Sequence, residues 1–263
     1  MERRKFIKNT ISFSMLLAFH KQALAQFSDS PKEIGIGKGI ARFPEISLYT
    51  HKLEETYNFY SKDLGLKILK KTNNMFSIEI GESILIFKKA EEGTEPFYHY
   101  AINIPSNKYK EAQKWLSKRT TLLQDQDSSG ELFYFGFWDA HAMYFKDPSG
   151  NIGELIARHT MGNDKEGEFD TSHLLAISEI GTPVEDPAHL ASELKTEFGL
   201  EKYGSSMFIG DENGLFVAVP IDRPWIPENT QKAAIHPTEI SLSDKGKENY
   251  NYKDYPYSIR GKK

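Results

Sequence analysis

The sequence predicts an α+β fold built from repeated strand–helix–strand–strand–strand modules. Residues 43–88 have the pattern of one strand, one helix and three short strands, and residues 97–157 repeat it. A glycine ends the helix of the first copy and of a third copy. In both, a glutamate of the first strand lies 20 residues before that glycine (Glu45–Gly65 and Glu179–Gly199). Recurrence at one spacing indicates a modular architecture.

The first copy begins with a strand and a helix. Alternating residues from Phe43 to Thr50 predict the strand. Apolar residues recur at helical spacing from Lys52 to Leu64, and Gly65 suits the end of that helix because glycine tolerates positive φ. The predicted strands that follow are Leu66–Leu69, Met75–Ile80 and Ser83–Lys88.

The later copies repeat this order. The second has its predicted elements at residues 97–104, 108–119, 131–138, 141–145 and 152–157. The third has them at residues 176–184, 187–198, 207–211 and 215–219, and residues 238–242 suit the first strand of an unfinished fourth copy. We therefore expect one domain of two modules over residues 43–160 and a degenerate, incomplete second domain over residues 173–243.

Both ends of the chain differ from these modules. Residues 1–25 resemble a twin-arginine export signal, with Arg3 and Arg4, a short apolar run and an Ala-Leu-Ala cleavage site. A general secretory signal or an uncleaved anchor is the alternative. The apolar run is too short for a transmembrane helix, so we expect no stable membrane insertion after cleavage. Residues 26–42 suit a linker and residues 244–263 a polar tail.

Composition narrows the classes of function. The full chain carries a net charge of −4, and residues 1–25 carry five basic and one acidic side chain, a net +4, which leaves −8 on the rest. An acidic protein without a basic run is not expected to bind nucleic acid. The absence of cysteine excludes disulfides and thiolate ligands, so a metal must be held by His, Asp, Glu or Tyr.

The stretch from Tyr144 to Arg158 carries the most chemical information. An apolar strand ends in Asp147–Asn151, whose Asp-Pro-Ser-Gly-Asn composition is typical of a turn. In the strand that follows, alternation places Glu154 and Arg158 on one face with two isoleucines. An ionised carboxylate among apolar neighbours needs a partner. Either Arg158 or a backbone N–H satisfies Glu154, or Glu154 is a metal ligand.

The repeats and the string Tyr-x-x-Asp-Pro-x-Gly-Asn-x-x-Glu from Tyr144 to Glu154 together resemble the vicinal-oxygen-chelate superfamily. This group includes glyoxalase I, extradiol dioxygenases and bleomycin-resistance proteins. The resemblance covers residues 43–158 and, more weakly, residues 173–243. It implies that paired βαβββ modules form curved mixed sheets around a metal or ligand cleft. Ligands in metal-binding members come from the first and last strand of each module.

Carried over to this sequence, the resemblance implies that Glu45, His99 and Glu154 bind a divalent metal ion. Ile86, at the remaining last-strand position, cannot ligate. One imidazole and two carboxylates favour Fe or Mn, with Zn or Ni as alternatives. Without a metal, Glu45 would be a solvated carboxylate and His99 a hydrogen-bonded core histidine.

Two further residues are candidates for catalysis. Tyr144 occupies the place of a tyrosine that extradiol dioxygenases carry ten residues before the ligand Glu, and ordinary core packing is the alternative. His141 is an acid–base candidate, although its spacing differs from the extradiol pattern. Glu45 in place of a ligand histidine is a second departure from that pattern, and the missing fourth ligand departs from glyoxalase I. Glu179 and Glu239 fall at the first-strand positions of the third and fourth copies, but without a histidine we expect no metal site there.

The leading hypothesis is an exported, periplasmic, metal-dependent enzyme. A dioxygenase or a lyase/isomerase would act on a small molecule that chelates the metal through two neighbouring oxygens. The alternative is a metal-free binding protein like the bleomycin-resistance proteins, with an aromatic cleft. That cleft would be lined by Tyr49, Tyr98, Phe133, Phe135, Phe137 and Trp138. A third alternative is a structural protein whose cleft is closed by side chains. The sequence leaves the substrate, the metal, the reaction and homodimer formation open.

Overall fold

The computed structural model describes residues 42–125, 130–205, 207–252 and 255–262. The predicted export signal, and the predicted linker up to residue 41, lie outside the described residues. No helix within the described ranges is long and apolar enough to cross a membrane.

The secondary structure follows the chain in four sets. The first set is β1 (Glu45–Thr50), α1 (Leu53–Asn58, continued by a π-helical turn at Phe59–Asp63), β2 (Ile68–Lys71), β3 (Met75–Ile80) and β4 (Ser83–Lys89). The second set is β5 (His99–Ile104), α2 (Tyr109–Ser117), β6 (Phe133–Phe135), β7 (Ala140–Lys146) and β8 (Ile152–Arg158). The third set is β9 (Ala176–Gly181), α3 (Pro187–Phe198), β10 (Phe208–Asp211) and β11 (Gly214–Val217). The fourth set is β12 (Thr238–Lys245), β13 (Tyr250–Asn251) and β14 (Tyr257–Lys262).

Helix α3 shows how local signals fix an element. The Asp186 side chain caps its first turn by accepting hydrogen bonds from the N–H groups of Ala188 and His189. Pro187 occupies the first turn, and Gly199 ends the helix in the left-handed region at φ 68°. These signals are readable in the sequence, and the helix has the bounds that the sequence predicts.

The four sets form two seven-stranded mixed sheets. The first sheet has the order β13-β14-β12-β1-β4-β3-β2, and the second has the order β10-β11-β9-β5-β8-β7-β6. The predicted α+β fold of repeated modules in curved mixed sheets is confirmed. Strand β1 pairs antiparallel with β12, and β5 pairs antiparallel with β9. Each sheet therefore joins two modules, the first with the fourth and the second with the third, and does not follow the predicted division at residues 160–173.

The C-terminal residues complete the first sheet. Residues 244–263, expected to form a polar tail, contain β13 and β14, and β14 runs parallel to β12 as β4 runs parallel to β1. Tyr250, Tyr257 and Ile259 are buried in the core. The alternation of Tyr257 and Ile259 places both on the buried face, which explains why a charged segment still forms a strand.

Two apolar clusters lie on opposite faces of the second sheet. The larger contains residues of both sheets and of all three helices, such as Phe59 beside α1, whose ring stacks on Phe145 of β7 at 5.9 Å. The smaller contains Ala101, Tyr144 and Ile156, with Trp225 from the connection between β11 and β12. This second face, apolar and covered, carries the candidate site.

Candidate metal centre

Three adjacent strands at the middle of the second sheet bring together one histidine and two glutamates. Ala101 of β5 pairs with Glu154 of β8 on one side and with Glu179 of β9 on the other. His99 precedes Ala101 by two residues and so lies on the same face. His99, Glu154 and Glu179 are 6%, 3% and 9% exposed, and together they are called the buried cluster below.

The ligand atoms of the buried cluster are close enough to share one ion. His99 Nε2 lies 3.6 Å from Glu154 Oε2 and 3.8 Å from Glu179 Oε2. One ligand atom from each residue lies within 4.8 Å of the others, and no other such group of three is found within the described ranges. Metal bonds of about 2.0–2.2 Å bring ligand atoms to roughly this spacing. The donor set therefore fits a divalent cation.

The backbone sets the orientation of the His99 ring. Its Nδ1 lies 3.2 Å from the carbonyl oxygen of Ile152, which can only accept a hydrogen bond. Nδ1 therefore carries a proton, and Nε2 faces the two carboxylates. It donates to a carboxylate when the ring is protonated and offers its lone pair to a cation when the ring is neutral. A ligand histidine is commonly oriented in this way, with its other nitrogen donating to a carbonyl.

The pKa values of the two carboxylates in the buried cluster are shifted in opposite directions. Burial raises the pKa of Glu154 well above its usual range, and the nearby charge of Glu179 raises it further. Burial also acts to raise the pKa of Glu179, but the hydrogen bonds and charges of His99 and Arg158 outweigh it and lower the pKa below its usual range. Two ionised carboxylates with one arginine leave one negative charge, which a proton on Glu154 or a bound cation would offset.

Arg158 holds Glu179 in place and is itself fully buried. Its Nη2 donates a hydrogen bond to Glu179 Oε1, and its Nε lies 3.3 Å from Asn103 Oδ1. The guanidinium carbon lies 5.8 Å from the centre of the Trp138 ring. The carboxylate that this arginine bonds is thus Glu179 and not Glu154, for which it was one possible partner.

Tyr144 holds the other carboxylate. It lies directly across from Glu154 in the β7–β8 pair, and the two side chains are hydrogen-bonded. Burial raises the pKa of the Tyr144 hydroxyl well above 10, and the charges of Glu154 and Glu179 raise it further. The hydroxyl therefore stays protonated and donates to Glu154. A catalytic role for Tyr144 remains a prediction.

His141 lies on the opposite face of the second sheet. It is three residues from Tyr144 on β7, so strand alternation turns the two side chains to different faces. Its Nδ1 lies 2.7 Å from His159 Nε2, and its ring stacks on Tyr109 at 4.1 Å. This corrects the prediction of His141 as an acid–base residue, because it faces away from the buried cluster.

Glu45 does not join His99 and Glu154. It lies on β1 of the first sheet, half-exposed, where its Oε1 accepts a hydrogen bond from Arg260 Nη2 at 3.1 Å. The correction follows from strand pairing: β5 has β8 and β9 as its neighbours, so Glu179 of β9 takes the place predicted for Glu45.

Trp225 covers the buried cluster. Its ring centre lies 5.0 Å from that of His99, and it packs against Gly181, where a Cβ atom would come within 3.0 Å of the indole. The connection that carries Trp225 is tied down by a bond from Gln231 Nε2 to the Gly150 carbonyl at 3.0 Å. A cavity beside His99 is lined by this indole together with Phe97, Pro183, Ala234 and His236. The cluster thus lies under an aromatic wall.

Three functional residues were missed or misplaced by sequence reasoning. Glu179 was set aside because the matching ligand positions of the third and fourth copies offer carboxylates and no histidine, although its 20-residue spacing to Gly199 matches that of Glu45 to Gly65. Arg158 was considered only as one possible partner of Glu154, and its pairing with Glu179 was not anticipated. Trp225 lies in a Pro-rich connection without periodicity, so no signal in the sequence placed it over the site.

Comparison with known proteins identifies the fold. No family model and no curated protein matches the sequence. A candidate dioxygenase from Bacillus subtilis subsp. subtilis str. 168 is similar over 86% of each chain, with a TM-score of 0.54 and 15% identity. A lactoylglutathione lyase from Agrobacterium tumefaciens covers 46% of this chain and 94% of its own, with a TM-score of 0.34 and 16% identity. A glyoxalase/bleomycin resistance protein/dioxygenase from Nocardioides covers 59% and 99%, with a TM-score of 0.36 and 17% identity.

The similarity to the candidate dioxygenase, which covers 86% of this chain, confirms the fold that the Tyr144–Glu154 string and the repeats predicted. At 15% identity it establishes the fold and leaves the activity to the residues of the site.

Proposed function

We propose that this chain, which has the fold of the vicinal-oxygen-chelate proteins, is a metal-dependent enzyme with His99, Glu154 and Glu179 as ligands. The proposed reaction class is a dioxygenase or a lyase/isomerase that acts on a small molecule with two neighbouring oxygens. One imidazole with two carboxylates suits Fe or Mn, with Zn or Ni as the alternatives. A bound cation would polarise the two substrate oxygens as a Lewis acid.

One observation carries the proposal. The imidazole Nε2 faces two buried carboxylates at 3.6 and 3.8 Å, while Nδ1 is held by a backbone carbonyl. Burying two carboxylates and a histidine side by side is costly unless a proton or a cation lies between them. A shared divalent cation would satisfy all three donors at once.

The surrounding residues have distinct roles in this proposal. Tyr144 donates to Glu154 and orients it, and Arg158 does the same for Glu179. Trp225 lies against His99 and excludes water from one side of the site. Exclusion of water strengthens electrostatic interactions with a bound substrate.

Metal analysis of the purified protein tests the proposal. Protein prepared without chelators and reconstituted with Fe²⁺ or Mn²⁺ should retain close to one equivalent per chain. Loss of a ligand weakens binding by at least the 10–100-fold that is typical for losing a supporting residue, so His99→Ala and Glu179→Gln should lose the metal. Glu45→Gln is the matched control and should retain it. Metal content below about 0.2 equivalents in the wild type would contradict the proposal.

A metal-free binding protein is the second candidate, and the Arg158–Glu179 ion pair favours it. This pair already compensates one carboxylate without a cation. Part of the predicted aromatic set, Phe133, Phe135 and Trp138, packs on the same face as Tyr144. In this case EDTA would change neither the melting temperature nor ligand binding. A metalloenzyme treated with EDTA would melt at a lower temperature and would no longer bind its ligand.

Export is also proposed, supported by the twin-arginine-like residues 1–25 of the sequence. Substitution of Arg3 and Arg4 by lysine should leave the unprocessed protein in the cytoplasm of a bacterial host, and the wild-type chain should reach the periplasm. Equal periplasmic amounts of both forms would contradict the twin-arginine route.

A further inference from the structure

We infer that Arg158 is a specificity residue that favours substrates carrying a carboxylate next to the chelating oxygens. This inference rests on the proposed function, because it assumes a metal in the buried cluster. It concerns the positive charge of Arg158 and its N–H groups that have no partner once that metal is bound.

The first argument is an unpartnered donor. Arginine has five N–H groups, and Arg158 uses Nη2 on Glu179 and Nε on Asn103. Its Nη1 is buried and has no hydrogen-bond partner among the described residues. A buried donor without a partner is destabilising, and natural structures usually satisfy such groups with protein, water or ligand. Nη1 shares its carbon with Nη2, so the free donor lies next to the Glu179 carboxylate.

The second argument is a charge count. Two ligating carboxylates and a divalent cation sum to zero, so the site together with the fully buried Arg158 carries one net positive charge. Burial of an unpaired charge is strongly unfavourable. A neutral substrate leaves this charge as it is, whereas a monoanionic substrate balances it.

The third argument is preorganisation. The guanidinium is held by Glu179 and by Asn103 and lies near the face of Trp138 at 5.8 Å, so it is fixed before a ligand arrives. A fixed guanidinium recognises a carboxylate with little further loss of side-chain entropy. The predicted substrate class is therefore a small acid with two vicinal oxygens and an adjacent carboxylate.

A pair of isosteric probes tests this inference on the wild-type protein. Glycerate and glyceramide both carry a vicinal diol, and only glycerate is anionic. Binding to the Mn²⁺-loaded protein is followed by the fall in water-proton relaxation as the probe displaces metal-bound water. Glycerate should bind at least about tenfold more tightly, the effect of one charge-assisted hydrogen bond. Equal affinities, or no binding of either probe to a metal-loaded protein, would overturn the inference.

Variants assign the preference to the arginine and not to the metal. Arg158→Gln should abolish the preference for glycerate, and Arg158→Lys, which keeps the charge but loses the planar fork, should retain part of it. Arg260→Gln, on the first sheet, is the control and should keep the wild-type ratio. A preference that survives in Arg158→Gln would overturn the inference. If Arg158→Gln does not fold, Arg158→Lys decides, because a glycerate preference as large as that of the wild type in this variant would overturn the inference.

The outcomes separate this inference from the proposed function. Metal content is measured on the same samples before the probes are added. A wild-type protein that takes up no metal contradicts the proposed function, and the substrate inference falls with it. A protein that takes up metal but does not distinguish glycerate from glyceramide contradicts only the inference about Arg158.

Discussion

The two sheets place equivalent residues in the same register but surround them differently. In the second sheet, Ala101 of β5 lies between the two carboxylates of the buried cluster. In the first sheet, Ser47 of β1 lies between Ile86 and Glu239 in the same way. Glu45 precedes Ser47 by two residues, as the cluster histidine precedes Ala101. The first sheet therefore has two carboxylates and an isoleucine where the second has a histidine and two carboxylates.

The carboxylates of the first sheet already have cationic partners. Glu45 accepts a bond from Arg260, and Glu239 bonds Lys88 at 2.6 Å and Tyr49 at 2.9 Å. Both glutamates are partly exposed. In the second sheet, Arg158 bonds buried Glu179 and not buried Glu154, and both carboxylates face the imidazole Nε2. The comparison shows that position in the module is not sufficient, because burial and the local charge balance decide where a cation is needed.

The two sheets should differ most in the free energy of unfolding that is lost when an arginine partner is removed. Arg158→Met leaves Glu179 buried without its partner, and breaking a buried pair costs about 3–5 kcal/mol. Arg260→Met removes a solvent-exposed partner of Glu45 and should cost less than about 1 kcal/mol. Urea unfolding of the metal-free proteins measures both, and similar losses for the two variants would contradict the comparison.

Stabilisation by a bound metal should depend on the carboxylates of the second sheet and not on those of the first. Mn²⁺ at 100 times its dissociation constant should stabilise the wild type by about 2.7 kcal/mol. Glu179→Gln should remove most of this gain, and Glu239→Gln, its counterpart in the first sheet, should keep it. Thermal unfolding with and without Mn²⁺ measures this stabilisation. If Glu239→Gln were no longer stabilised by Mn²⁺, the ion would bind in the first sheet, which would contradict the prediction.

Removing the tyrosine hydroxyl that bonds a carboxylate should also cost more stability in the second sheet than in the first. Tyr144→Phe removes a donor to buried Glu154 and should cost about 1–3 kcal/mol, because the acceptor is left unsatisfied in the core. Tyr49→Phe removes a donor to part-exposed Glu239, where water can replace it, and should cost less than Tyr144→Phe. Equal costs in urea unfolding at pH 7 would show that burial does not separate the two sites.

The smallest expected effect is a pH dependence in the first sheet. Burial acts to raise the pKa of Glu239, but hydrogen bonds from Lys88 and Tyr49 outweigh it and lower the pKa below 4.5. A folded-state pKa below the unfolded value contributes stability above the unfolded pKa, and this contribution is lost as the pH falls through the folded pKa. Glu239→Gln should therefore flatten the acid side of the stability curve slightly. An unchanged slope below pH 4.5 would contradict the ionised state of Glu239.

The fold was predictable because its signals are local. The 20-residue spacing, the caps of α3 and the turn at Asp147–Asn151 are each set by a few neighbouring residues. Strands β13 and β14 were missed because only Tyr257 and Ile259 show the apolar alternation of a strand, and most of the surrounding residues are polar or charged. That alternation is meaningful only once β12 provides a neighbour.

The site was predictable only in part, because it depends on which strands become neighbours. His99 and Glu154 come from the first and last strands of one module, and the family resemblance implied that they lie together. Glu179 belongs to another module, and its approach to His99 depends on the antiparallel pairing of β5 with β9. Long-range strand pairing leaves no periodic signal in the sequence, so Glu45 and Glu179 could not be distinguished.

The position of a bound ion tests the central claim most directly. A crystal of the Mn²⁺-loaded protein, measured at the manganese absorption edge, reveals the ion through its anomalous scattering. We predict one strong peak bounded by His99 Nε2 and one oxygen each of Glu154 and Glu179, at about 2.0–2.4 Å from each. A peak between Glu45 and Glu239, or no peak at the buried cluster in a metal-saturated crystal, would contradict the account.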